Sequence, residues 1–254
     1  MSEGGWLFTS ESVASGHPDK LCDAISDSIL DACLSVDPNA KVAVETLVKG
    51  REDKAFIVLG GEVTLAEGVE NPDFVQVARD AAANIGYISH EIGMDATSNE
   101  LCEVQVAITT QSPDISDGVN VGGAGDQGMM FGYACTESES FPGLIGTYMP
   151  LPSILSQQLT RRLKEVREKE ILPWIRPDGK SQVTIEYSDS GVPLRASTIV
   201  LANQHKDMID EKGSLDLERE FIQNELKKHV IEHVIPSALM DSETKIIVNG
   251  TGRF

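Results

Sequence analysis

The string Gly-His-Pro-Asp-Lys at 16–20 combines the side chains that bind a phosphate group and a divalent cation. His17 and Lys20 can carry positive charge, and Asp19 offers the carboxylate oxygens that Mg²⁺ prefers. Pro18 suits the first turn of a helix, whose free backbone amides attract anions. The string therefore indicates a phosphate-and-metal site, and the alternative interpretation is an ordinary helix start with a proline.

Aspartates recur at every fourth position of the helix predicted to follow this string. Side chains four residues apart stack on one helix face, where like charges cost a few tenths of a kcal/mol per pair. Such a stripe is typical of a solvated face, so only its first member is predicted to bind a ligand. The stripe consists of Asp19, Asp23, Asp27 and Asp31.

A glycine-rich segment at 117–134 contains the string GAGDQG at 123–128, which has the G-x-G-x-x-G spacing of dinucleotide-binding proteins. That fingerprint requires a strand before it and a helix after it. Here SPDISDGVNV precedes the string and the glycine-broken MMFGYACTESES follows it. We therefore predict a flexible loop that presents Asp126.

Two further carboxylates, Glu45 and Glu62, interrupt apolar segments where a sheet would favour Val or Ile. A buried carboxylate needs a cation or hydrogen-bond donors, although either side chain could instead face solvent. The string RPDGK at 176–180 offers Asp178 and Lys180 but follows its predicted helix. Its composition predicts a turn.

Hydrophobic periodicity predicts the elements that must position these residues. A helix is predicted at about 19–34, with apolar residues at helical spacing, and a second helix spans 74–85 and closes at a glycine. Segments rich in β-branched residues predict strands at 41–50, 54–65 and 100–110.

The same order of elements recurs about 140 residues later, which is longer than the period of solenoid repeats. A helix is predicted around 155–166, then strands at 181–188 and 194–203, a long helix through 217–230 and a strand at 244–250. We predict an α+β fold of repeated α-β-β-α-β domains, each with a mixed sheet and its helices packed on one face.

Composition excludes several classes of protein. The chain has 254 residues, of which 41% are hydrophobic, so it can bury a core. Its net charge of −19 opposes phosphate backbones and anionic headgroups, so neither nucleic acid nor a membrane is an expected partner. Four scattered cysteines and the lack of a signal peptide favour a cytoplasmic location.

Taken together, these strings resemble the S-adenosylmethionine synthetase family, also called methionine adenosyltransferase. The blocks FTSESVASGHPDKLCDAISDSILDA, GAGDQGMMFGYA, LPWIRPDGKSQVTIEY and NGTGRF correspond to family blocks in the same order. The resemblance implies two of three pseudo-symmetric domains, an N-terminal domain at 1–115 and a central domain at 116–252, with the C-terminal domain absent. We therefore expect these 254 residues by themselves to form little product.

The resemblance also implies a role for each candidate residue. It makes His17 and Lys180 catalytic, with both groups acting on the triphosphate of ATP. Asp19 is implied as a Mg²⁺ ligand, Glu45 as a K⁺ ligand, and Glu62 and Gln111 as methionine-binding residues. The implied ATP-binding residues are His17, Asp126, Asp178, Gly179, Lys180, Arg253 and Phe254.

The implied reaction joins ATP and L-methionine into S-adenosylmethionine with release of phosphate and diphosphate. The resemblance further implies a pair of Mg²⁺ ions per site, K⁺, and a homodimer or homotetramer whose active site lies at the subunit interface. A loop at 111–123 is expected to gate that site. Two alternatives remain open: a truncated non-catalytic relative that binds nucleotide or pairs with full-length subunits, and a phosphatase that cleaves tripolyphosphate.

Overall fold

The computed structural model describes residues 5–110 and 128–251. The chain divides into two compact units. One unit, the 18–131 unit, is formed by Pro18–Phe131. The other, the split unit, joins Met1–His17 to Gly132–Phe254.

The 18–131 unit opens with helix α1 (Pro18–Val36), which begins at the proline as predicted. Leu21, Ile25 and Ile29 form its buried stripe. The four aspartates spaced along the helix are all exposed, which confirms the predicted solvated face. Helix α2 (Phe74–Ile85) ends at Gly86, whose left-handed φ of 118° allows its amide to cap the last turn.

A three-stranded sheet completes this unit, in the order β2 (Lys41–Gly50), β3 (Ala55–Thr64) and β6 (Cys102–Thr109). Strands β2 and β3 are antiparallel, whereas β3 and β6 are parallel, so the sheet is mixed as predicted. A small antiparallel pair, β4 (Ile88–Ser89) and β5 (Met94–Asp95), lies between α2 and β6 in the chain.

One face of this sheet meets both helices. Ile57 and Leu59 on β3 are fully buried and share a hydrophobic core with α1 and α2. Because side chains alternate along a strand, Glu45 and Glu62 fall on the opposite face, which we call the outer face.

The split unit contains a four-stranded sheet in the order β1 (Trp6–Val13), β7 (Ile175–Tyr187), β8 (Pro193–His205) and β9 (Lys245–Val248). Neighbouring strands are antiparallel except β8 and β9, which are parallel. Strand β1 was not predicted, because its pairing partner lies more than 160 residues away in the sequence.

Helix α3 (Leu151–Glu168) packs on β7 and buries Leu155, Leu159, Leu163 and Val166, the predicted stripe. A short helix α4 (Ile209–Lys212) follows β8. The long helix predicted after β8 is present as a continuous helical run, formed by α5 (Leu215–Leu226), a π-helical turn (Lys227–Ile231) and α6 (Glu232–Val234).

Short 3₁₀ turns complete the description, at His90–Ile92, Glu137–Ser140 and Ser237–Leu239. No helix within residues 5–110 and 128–251 combines the length and the apolar character that a bilayer span requires.

Candidate functional site

Within the split unit, the residues that lead into the first string lie beside the string at 176–180. Strand β1 runs antiparallel to β7 as far as the pair Val13 and Lys180. Beyond that pair the backbone amide of Ala14 donates to Gly179 O at 2.8 Å, and the amide of Gly16 donates to Pro177 O at 3.2 Å. Residues 13–16 therefore lie beside residues 177–180.

Glycines permit this close approach. A Cβ on Gly16 would lie against Pro177 Cβ and 2.7 Å from Pro177 O, inside van der Waals contact. A Cβ on Gly179 would lie 2.9 Å from Asn203 Nδ2. Both positions thus exclude any larger residue unless the neighbouring strand moves.

The predicted turn at RPDGK is wrong, because these residues belong to strand β7. Their pairing with β8 is irregular: Ile175 pairs with His205 and Gly179 with Asn203, which leaves extra residues on β7. A bulge of this kind bends a strand and redirects its side chains. Hydrogen bonds from residues 14 and 16 and from β8 keep the residues at 176–180 extended, although proline and glycine favour a turn.

Asp178 carries the most perturbed carboxylate at this junction. Burial raises its pKa, while the charge of the nearby His17 and the amide of Gly179 act in the opposite direction. Its Oδ1 atom is buried and has no hydrogen-bond partner among the residues that the structure describes. An unsatisfied acceptor of this kind suits a cation or a donor supplied by a ligand.

Lys180 supplies a positive charge close by. Its Nζ atom lies 2.8 Å from Glu11 Oε2 on strand β1, and both side chains are substantially exposed. Because exposed ion pairs contribute little stability, an incoming polyanion can replace Glu11 at small cost. His17, Asp178 and Lys180 therefore form one polar junction at this end of the sheet.

Comparison with known families decides what this junction belongs to. Residues 5–113 match the family model described as S-adenosylmethionine synthetase, N-terminal domain. Residues 121–254 match the family model described as S-adenosylmethionine synthetase, central domain. The chain belongs to the S-adenosylmethionine synthetase family. In this family member, the junction joins one string from each matched domain.

The remaining predicted residues are distributed over both units and the undescribed part of the chain. Asp19 and Lys20 are exposed in the first turn of α1, in the 18–131 unit. Gly179, predicted to bind ATP, is buried at the junction. The other predicted site residues lie outside the described part of the chain, and these are Gln111, Asp126, Arg253 and Phe254.

Glu45 and Glu62 share the outer face of the sheet in the 18–131 unit. Glu45 pairs with Gly60 and Glu62 pairs with Ala43, which makes the two glutamates diagonal neighbours. The Cα atoms of diagonal neighbours lie about 7 to 8 Å apart. Glu45 is exposed and Glu62 is half-buried, so the solvent-facing alternative describes Glu45. Within residues 5–110 and 128–251, neither glutamate forms an ion pair.

The carboxylates predicted to bind metal ions do not form a ready-made cage. Within the described ranges, no group of three or more His, Cys, Asp or Glu side chains could hold a metal ion. Mg²⁺ usually binds one or two carboxylates together with substrate phosphates, so an exposed carboxylate such as Asp19 fits that role. The exposed Glu45 likewise offers oxygen ligands of the kind that K⁺ would accept.

Sequence reasoning missed two residues at the junction. Glu11 holds Lys180, and Asn203 contacts the backbone of the bulged string. Glu11 lies in a strand without a periodic pattern, and Asn203 is followed by two further polar residues at the end of β8. Neither residue carries a local sequence signal.

Proposed function

We propose that the gene product containing this chain is a methionine adenosyltransferase. It makes S-adenosylmethionine from ATP and L-methionine and releases phosphate and diphosphate. The observation that carries the proposal is the pairing of residues 14 and 16 with residues 179 and 177 in a member of this family, which brings His17 close to Asp178, two residues before Lys180.

The chemistry requires little from a protein nucleophile. A lone pair of the methionine sulfur attacks C5′ of ATP, the C5′–O5′ bond breaks, and the triphosphate leaves with the bonding electrons. Water then cleaves the triphosphate into diphosphate and phosphate. The protein must hold sulfur, carbon and leaving oxygen in line and stabilise the negative charge of the leaving group.

In the proposed mechanism, His17 and Lys180 stabilise that charge. His17 donates a hydrogen bond to the leaving oxygen, and Lys180 exchanges Glu11 for a phosphate oxygen. A charge-assisted hydrogen bond to phosphate is stronger than the exposed ion pair that it replaces. Asp178 and Gly179 bind ATP beside them, together with Asp126, Arg253 and Phe254.

Cations complete the proposed site. Asp19 binds Mg²⁺, and Glu45 binds K⁺, while Glu62 and Gln111 hold methionine. Bound Mg²⁺ would neutralise charge on the triphosphate. A chain with a net charge of −19 depends on such ions to hold a polyanion.

We also propose the larger organisation that the family resemblance implies. The domains are 1–115 and 116–252, related by an internal repeat. In support, each unit contains a helix, an antiparallel strand pair, a helix and a parallel strand, in that order.

The oligomer and location are proposals on the same basis. We propose a homodimer or homotetramer in the cytoplasm with the active site at the subunit interface. In support, the outer face of the 18–131 unit, which carries both glutamates, leaves apolar surface at Leu47, which is 58% exposed. For these 254 residues alone, little product formation remains our expectation.

Product formation by the gene product tests the assignment. We expect S-adenosylmethionine from ATP and L-methionine with Mg²⁺ and K⁺, measured by chromatography. The His17→Asn variant should lower turnover at least tenfold while ATP binding persists, because histidine acts on the leaving group rather than on ground-state binding. The exposed His233 on α6 provides a matched control, and His233→Asn should retain full turnover.

Three results would contradict the proposal. Nucleotide binding without any product would favour the non-catalytic relative. Tripolyphosphate cleavage without S-adenosylmethionine would favour the phosphatase. Unchanged turnover in His17→Asn would remove His17 from the mechanism.

A further inference from the structure

Successive backbone carbonyls of the bulged string at 176–179 accept hydrogen bonds alternately from two sides. On one side, the amides of Gly16 and Ala14 donate to Pro177 O and Gly179 O. On the other side, the bulge separates the string from the regular ladder of β8, so Arg176 O and Asp178 O need other donors.

One side chain supplies both missing donors. Asn203 Nδ2 donates to Asp178 O at 2.8 Å and to Arg176 O at 3.3 Å. Asn203 is only 1% exposed, and its Oδ1 atom has no partner among the described residues. The carboxamide therefore uses its donors on this string, in a site that water does not reach.

Asn203 also connects the string to the end of the described chain. Its backbone amide donates to Asn249 Oδ1 at 2.9 Å, and Asn249 Nδ2 donates to Asn203 O at 3.2 Å. Asn249 has a left-handed φ of 43°, which asparagine tolerates better than most residues. It immediately precedes GTGRF, the string that carries Arg253 and Phe254.

We infer that Asn203 is a positioning residue that fixes the backbone of Arg176–Gly179, and so sets where Asp178 and Lys180 lie relative to His17. The inference rests on the proposed function for its link to ATP. Among the described residues, the Asn203 side chain donates to backbone carbonyls of the string, and the Asn203 backbone exchanges hydrogen bonds with the side chain of Asn249. It acts through them and does not touch the reacting atoms.

Hydrogen exchange in the gene product tests the structural half of this inference without any need for activity. In Asn203→Ala, the amides of Ala14 and Gly16 should exchange at least tenfold faster, because their acceptors lose support from the other side. The control is Glu218→Ala, which removes another side chain that is 1% exposed and accepts from Met208 N. In Glu218→Ala, exchange of the Ala14 and Gly16 amides should change only by the amount that the change in the free energy of unfolding accounts for.

Steady-state kinetics test the link to the nucleotide. Asn203→Ala should raise KM for ATP at least fivefold and leave KM for methionine within twofold, whereas Glu218→Ala should change neither. Asn203→Ser retains a shorter donor and should fall between wild type and Asn203→Ala. This milder variant also serves if the alanine variant fails to fold.

Each outcome has a defined meaning. Equal exchange of Ala14 and Gly16 in Asn203→Ala and Glu218→Ala would overturn the inference, as would faster exchange with an unchanged KM for ATP. If wild type forms no S-adenosylmethionine, the proposed function fails. The exchange result still decides whether Asn203 holds the string.

Discussion

Asp178 keeps a carboxylate in a half-buried position where water solvates it poorly. Burial raises its pKa, and its Oδ1 atom has no partner within the described residues. The folded state therefore favours the protonated carboxyl more than the unfolded state does. Above the raised pKa the carboxyl is ionised, and this lowers the free energy of unfolding. The loss disappears as the pH falls below the ordinary pKa of aspartate, about 4.

This gives a pH-dependent prediction for Asp178→Asn. The variant should unfold at the same or a higher temperature than wild type at pH 7, and the difference should shrink as the pH approaches 3. Nucleotide binding should weaken in the same variant. Thermal unfolding at several pH values measures the effect, with Asp189→Asn in the exposed turn as a control. A lower unfolding temperature at pH 7 would show that the carboxylate stabilises the fold.

Gly16 should tolerate no side chain. In Gly16→Ala the added methyl would meet Pro177, so the strands must separate. We expect the free energy of unfolding to fall by about 1–3 kcal/mol, as for other overpacked sites. Gly132→Ala is the control, because nothing lies within 4 Å of a Cβ at that position. Denaturant unfolding measures both, and equal stabilities would refute the close approach.

The sequence indicated the chemistry of these residues but not their contacts. His17, Asp178 and Lys180 were candidates from their types alone. Their meeting depends on strand β1, whose partner is remote in sequence, and on Glu11 and Asn203, which stand in no recognisable motif. Contacts between distant segments leave no local pattern.

Elements with strong periodicity were predicted closely. Helices α1, α2 and α3 and strands β2, β3 and β6 fall within a few residues of their predicted positions. The failures share a cause, since tertiary contacts overrode local preference. Pro177 and Gly179 favour a turn, but hydrogen bonds on both sides extend them into β7. The π-helical turn that interrupts the long helix has no sequence signature.

The start of helix α2 is stabilised by a side-chain cap. Asp73 caps the helix by accepting from Gln76 N at 3.0 Å. Asp73→Ala should lower the free energy of unfolding by about 1 kcal/mol, because the amide loses its partner. Asp73→Asn retains an acceptor and should stay close to wild type. Urea unfolding compares the two, and equal losses in both variants would contradict a capping role.

Over the whole molecule, the net negative charge opposes the binding of the polyanionic substrate proposed for this family member. The chain carries 40 acidic and 21 basic residues, yet it belongs to a family whose proposed substrate is a polyanion. The structure places a lysine, a histidine and a half-buried aspartate together, with the lysine paired to an exposed glutamate. Under the proposed function, nucleotide binding therefore depends on a few placed cations rather than on the overall field.

Nucleotide affinity of Lys180→Met in the gene product is the most direct test of that claim. Calorimetric titration with Mg²⁺ and a non-hydrolysable ATP analogue should show at least a tenfold loss, because a charged hydrogen bond to phosphate is removed. Lys169→Met removes a lysine that pairs with Glu165 at 2.6 Å on α3, and it should bind within twofold of wild type. Wild-type affinity in Lys180→Met would contradict the proposed phosphate site at this junction.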